Sequence, residues 1–207
     1  MAISYPLTPP ATPGFVESDF FLSRVTTVFR GAPTRVEQVM ERHGAVWIAR
    51  YQLPPMTRAQ AAPWIAFLHA LRGQVGTFLG SDPDARTPLG VATGTPLVKG
   101  AAQTGNTLLA DGWTPSVTGI LKAGDMITIA STVKRLYQVV EDANSDGSGN
   151  ATLSIEPVLR ESPIDNAVIA HTNWTIPMRL VSDDIQKPSD KLKIFDIGFS
   201  AIEALNP

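Results

Sequence analysis

Hydrophobic and polar residues alternate in short runs along most of this chain, and one stretch changes period. From Ala45 to Leu53 the alternation puts Trp47, Ala49, Tyr51 and Leu53 on one face, which predicts a strand with one buried side. Pro54 and Pro55 cannot continue a ladder and end it. Trp64, Phe67, Leu68 and Leu71 then recur at i, i+3, i+4 and i+7, one apolar face of a helix over about residues 57–72. Thr57 and Gln60 fit a capping box at its start. Arg72 and Gly73 suit its end: a cation on the negative pole, then a residue free to turn left-handed. Pro63 lacks the helical donor, so the helix kinks there or its regular part begins near that residue. Val75–Leu79 extends again.

On the N-terminal side, Asp19–Phe29 predicts a first strand carrying Phe21, Val25 and Phe29, broken at Gly31 and Pro33. Thr34–Met40 alternates as well. Arg42, His43 and Gly44 read as a turn into the Trp47 strand, so these two runs are an expected antiparallel hairpin. Residues 1–17 hold Pro6, Pro9, Pro10 and Pro13 and predict an extended arm, poorly ordered unless a partner covers it.

Past Leu79 the texture becomes turn-rich, which places a domain boundary between Gly80 and Gly105. Short strands follow at Thr107–Leu109, within Leu121–Ile129, and at Arg135–Val140, Ala151–Ile155, Ala167–Ile169 and Trp174–Leu180. Five or six such strands with polar turns suggest a small barrel or sandwich. After a polar linker, Ser182–Lys191, comes Leu192–Phe199, with Phe195, Ile197 and Phe199 on one face. Its natural partner is the sheet built around Ala45–Leu79. The expected organisation is an arm (1–17), a first β domain made of residues 18–86 and 181–207, and an inserted β-barrel, OB-like or similar, over 87–180. The fold class is mainly β with one flanking α-helix.

Composition narrows the functions. The 207 residues carry 17 basic and 19 acidic groups, a net charge of -2, which argues against nucleic-acid binding through a basic face. No apolar run approaches membrane-span length, so no membrane insertion is expected, and the N-terminus lacks the basic and apolar segments of a secretory signal. There is no cysteine, which excludes thiolate zinc sites, disulfides and thiol nucleophiles.

The most specific-looking motif is Asp142–Asn150, whose Asp142, Asn144, Asp146 and Gly147 match the first half of a calcium loop. The closing acid would fall at Leu153 and the flanks are strands, so a polar hairpin loop is the better reading. His43, His69 and His171 are far apart, without metal-ligand spacing. No nucleophile elbow, P-loop or dinucleotide fingerprint is present. Trp47, Trp64, Trp113 and Trp174 could supply a sugar-stacking platform, but core packing explains them better. The expectation is therefore no catalytic, cofactor-binding or metal-ligating residue.

One set of residues resembles a known family. Trp47, then Leu53-Pro54-Pro55-Met56-Thr57-Arg58-Ala59-Gln60, then Phe67-Leu68 and Leu71-Arg72-Gly73 resemble the distal tail proteins of long-tailed bacteriophages. Gln103–Trp113, Leu121–Ile129, Arg135–Val139 and Gly149–Arg160 fit the same group, so the resemblance spans about Asp19 to Leu205. It implies a tube-type β-sandwich with a flanking helix and an inserted barrel, forming a ring, typically a hexamer, between tail tube and tail tip. The implied partners are further copies of itself, the tail tube protein, and the tail-tip hub and tape-measure proteins. The implied location is the virion tail tip, with host cytoplasm during assembly. Related tube-type folds also serve as tube, terminator and hub proteins. The other reading is a carbohydrate-binding barrel, which would need Trp113 and Trp174 exposed together in a groove.

Overall fold

The computed structural model describes residues 3–31, 35–184 and 194–206. The chain is mainly β with one flanking helix. It opens with β1 (Glu17–Arg30), β2 (Glu37–Gln52), α1 (Arg58–Ala70) and β3 (Thr77–Gly80). Six short strands follow: β4 (Gly94–Val98), β5 (Thr107–Trp113), β6 (Met126–Ala130), β7 (Lys134–Val139), β8 (Ala151–Glu156) and β9 (Val168–Ala170). β10 (Ile176–Leu180) and β11 (Gly198–Glu203) end it. Five strands form an antiparallel sheet in the order β1-β2-β11-β10-β3, and the other six close a barrel in the order β4-β5-β8-β7-β6-β9.

The sheet follows from the β2 pattern. Trp47, Ala49, Tyr51 and Leu53 are all at most 3% exposed and face α1, which returns Ala61, Trp64, Phe67 and Leu68. Aromatic rings fill the gap: Trp64 meets Phe67 edge-on at 5.9 Å, and Phe67 meets Phe78 at 5.7 Å. Each such side chain contributes about 1.5–3 kcal/mol by leaving water. At the helix start the Gln60 side chain accepts from the Thr57 N–H at 3.1 Å, the reach-back half of the expected box. The helix continues through Pro63. At its end both Arg72 (φ 52°) and Gly73 (φ 67°) are left-handed, one residue more than the sequence suggests.

The barrel has its own core, built from Leu108, Ile127, Ile129, Val139, Leu153 and Ile155. Its β4–β5 corner depends on glycine. Gly94 (φ 117°) and Gly112 (φ 75°) approach so closely that a Cβ on either would overlap the backbone of the opposite strand.

Several expectations need correction. Residues 37–52 are one strand, and the hairpin is β1 with β2. The Arg42-His43-Gly44 signal marks a bulge: between the pairs Ser23–Val46 and Val25–Arg42, three residues of β2 oppose Arg24 alone. The arm is not loose. Leu7 exchanges backbone hydrogen bonds with Thr77 and Leu79 at 2.8 and 2.9 Å, Tyr5 donates to the Ala70 carbonyl at 2.8 Å, and Phe15 stacks on Tyr51 at 4.4 Å. The barrel ends earlier than residue 180, because β10 lies between β11 and β3 in the sheet and Trp174 packs on Phe20 of β1. The last strand starts at Gly198 and includes Ala201–Glu203; Ile194–Ile197 runs alongside with a bridge from Phe195 to Met56. Leu192 and the linker beyond residue 184 lie outside the described residues.

Barrel and sheet meet over a polar and apolar junction. Met126 and Leu136 of the barrel join the sheet core, and Trp47 Nε1 donates to the Leu136 carbonyl at 3.0 Å. Arg160 and Arg135 converge on the buried Glu203 carboxylate at 3.0 and 3.8 Å. Burial there pushes the Tyr137 hydroxyl up to about 12.

Candidate functional site

Beyond the bulge, among the described residues, β1 and β2 pair only with each other. β11 meets β2 at residues 48–52, so the ladder from Val25–Arg42 to Arg30–Glu37 projects as a two-stranded ribbon. Six residues at about 3.4 Å each make it roughly 20 Å long. Its alternation puts Val25, Thr27 and Phe29 on one face with Arg42, Met40 and Gln38 opposite them. Arg42 Nε donates to the Thr27 hydroxyl at 3.2 Å on that face. The other face carries Val28 beside Val39. Phe29 is 52% exposed, Val39 63% and Val36 68%. A free ribbon of this kind is marginal in water, and its exposed apolar side chains lie on both faces.

The two sheet edges differ. The β3 edge is capped by Leu7 of the arm. Among the described residues no strand pairs with the outer edge of β1. That edge is 14 residues long and holds neither proline nor lysine, the usual guards against strand addition.

Near the N-terminal end of β1 lies an open groove of about 620 Å³ on the sheet surface. Phe199 and Leu180 supply its apolar lining, and Glu17, Asp19, Asp184 and Ser200 its polar walls. Arg50 pairs with Asp19 at 3.2 Å and lies 5.2 Å over the Phe21 ring. A second cleft, about 380 Å³, opens between the ribbon root and the barrel, where Arg24 bridges Glu41 and Glu156 at 3.3 and 3.1 Å.

The motifs read from the sequence are dispersed. In the Asp142–Asn150 loop each candidate ligand already accepts from the chain itself. Asp142 takes the Lys122 ammonium at 2.8 Å and the Ala123 N–H at 2.9 Å, and Asn144 takes the Gly119 N–H at 2.7 Å. Asp146 takes the Ser148 and Asn150 N–H groups at 2.8 Å. The Lys122 hydrogen bond holds the Asp142 carboxyl below its ordinary range, and the Asn150 side chain does the same for Asp146. Leu153, at the closing position, is buried in the barrel core. His43 sits in the bulge, His69 on α1 and His171 beside Trp113, 5.6 Å between rings. Among the described residues no group of three or more His, Asp or Glu side chains could hold a metal ion. Trp113 and Trp174 are 3% and 2% exposed and belong to different cores, so they form no shared platform. Among the described residues no helix is long and apolar enough to cross a membrane.

What the sequence missed is the ribbon. The alternation of Val36–Met40 is visible there, but alternation looks the same whether a face meets its own core or a neighbour. Neither family models nor curated proteins match this chain.

Proposed function

We propose that this protein is a structural component of a bacteriophage tail, a ring at the distal end of the tail tube that joins the tube to the tail tip or baseplate hub. The observation that carries this reading is the β1 edge, unpaired among the described residues, continuing into an exposed apolar ribbon, opposite a sheet edge its own arm has capped. A second copy that meets this edge with a different surface of its own makes a heterologous contact, and heterologous contacts close into rings when the rotation permits. The resemblance of the segment around Trp47–Gly73 to distal tail proteins supports the same assignment. The protein works by assembly and carries no catalytic role. Its partners are further copies of itself, a hexamer being the expected number, together with the tail tube, hub and tape-measure proteins. It assembles in the host cytoplasm and resides in the virion tail tip.

Electron microscopy tests this reading. Antibody against this chain should label virions at the distal tube end, and the purified protein should show rings with a central opening. Label on the head or along the tube, or its absence from virions, would contradict it.

A further inference from the structure

The ribbon leaves the sheet at the bulge, and the barrel holds both strands of that joint. On β1 the bulge residue is Arg24, which faces His43, Gly44 and Ala45 of β2. Its Nη1 meets Glu41, which pairs with Thr26 on the ribbon side of the bulge, at 3.3 Å. Its Nη2 meets Glu156, the last residue of barrel strand β8, at 3.1 Å. The other oxygen of Glu156 accepts from the Asn106 side-chain amide at 2.8 Å, which fixes the carboxylate. On β2 the Ala45 carbonyl accepts from Arg160, which follows Leu159 of the barrel core. Arg160 is set in turn by the buried Glu203 carboxylate at 3.0 Å.

We infer that the barrel aims the ribbon: Arg24 and Arg160 are positioning residues that fix the angle at which it projects from the sheet. A bulge disrupts the ladder and bends its strand, so this joint is where the pair yields most easily. Among the described residues no third strand steadies it, because the β11 ladder on β2 ends at Ile48. The cleft of about 380 Å³ between ribbon root and barrel gives the ribbon room to swing once the ties are cut. Arg24, Glu41 and Glu156 all line that cleft, so the bridge crosses from ribbon to barrel over it. Exposed pairs of this kind add little stability, and here their effect is on direction. The inference concerns a single chain and stands apart from the ring reading.

Distances between nitroxide labels test it. The chain has no cysteine, so introduced pairs label cleanly. Gln38→Cys with Thr152→Cys reads ribbon against barrel, and Arg179→Cys with Thr152→Cys reads sheet against barrel; all three positions are exposed. Labelled chain is diluted in unlabelled chain to suppress distances between copies. Double electron–electron resonance is recorded for the parent, for Arg24→Ala, and for Arg24→Ala with Arg160→Met and Glu203→Gln. The last variant removes Arg160 without leaving Glu203 charged and unpaired. The expected result is a narrow ribbon–barrel distance in the parent, a distribution about twice as wide in Arg24→Ala, and a wider one still in the triple variant. The sheet–barrel distance should not change. An unchanged ribbon–barrel width in Arg24→Ala, which loses only exposed pairs and keeps the fold, overturns the inference. So does a parent as broad as the variants, or a sheet–barrel distance that broadens equally.

Discussion

The Arg160 guanidinium lies 3.0 Å from the Glu203 carboxylate, whose side chain is 1% exposed. The Trp47 N–H donates to the same carboxylate at 3.3 Å, and Arg135 approaches it at 3.8 Å. Arg160 also donates to the Ala45 carbonyl. The last strand, the barrel and the Trp47 strand are thus tied at one buried charge. Removing one member leaves the others unpaired away from water, which costs about 3–5 kcal/mol. Glu203→Ala should lower unfolding free energy by that amount in urea. Arg24→Ala breaks only exposed pairs with Glu41 and Glu156 and should cost about 1 kcal/mol or less. Equal effects would show that the junction is no stronger than the surface.

Arm docking makes a second prediction. Phe15 touches Tyr51, Trp64 and Phe199, with ring centroids 4.4–6.1 Å away. Phe15→Ala should destabilise the protein by about 2–4 kcal/mol, near the lower end of buried Phe truncations because Phe15 is only partly buried. A change within about 0.5 kcal/mol, the usual effect at a surface site, would mean the arm is frayed in solution.

Why some of this was legible and some was not is a matter of range. The α1 signals are local: Thr57, Gln60 and the Trp64–Leu71 spacing lie within 15 residues and specify one element. The partner of β10 is not local. Ile176, Met178 and Leu180 alternate as a barrel strand would, and nothing in those residues says that Phe78 and Ala201 lie beside them. His43-Gly44 was legible as a break in the ladder, but a bulge and a turn both recruit glycine. For the candidate site, the apolar positions of the ribbon could be seen and their exposure could not.

Stability should depend on pH through His171. Burial against Trp113 pushes its imidazole below the ordinary value of 6.5, with the Asp125 charge opposing. The unfolded chain then takes up the proton more readily than the folded one. The stability present above about pH 6.5 is lost as pH falls through that value toward the lower folded one. Asp142 and Asp146 are depressed from 3.8, so their contribution is lost only in more acidic solution. The Tm of the wild type should fall between about pH 7.5 and 5 at fixed ionic strength, and His171→Phe should remove this part of the fall. Parallel curves would contradict the assignment.

Calcium should leave the protein unmoved. A ligand that binds only the folded state raises stability with its concentration, by about 2.7 kcal/mol at one hundred times its Kd. The oxygens of Asp142, Asn144 and Asp146 are committed to the chain's own N–H groups and Lys122. Thermal melts in millimolar calcium and in a chelator should therefore superimpose. A rise of several degrees with calcium would make the loop a site.

The central claim is that copies of this chain complete one another through β1 and its ribbon. Native mass spectrometry across a range of concentrations tests it most directly, on the wild type beside Phe29→Ser with Val36→Ser. The account predicts one closed stoichiometry, a fixed multiple of 22.2 kDa, for the wild type, and single chains of unchanged stability for the variant. A wild type that stays at one chain throughout, or a variant that assembles as the wild type does, contradicts it.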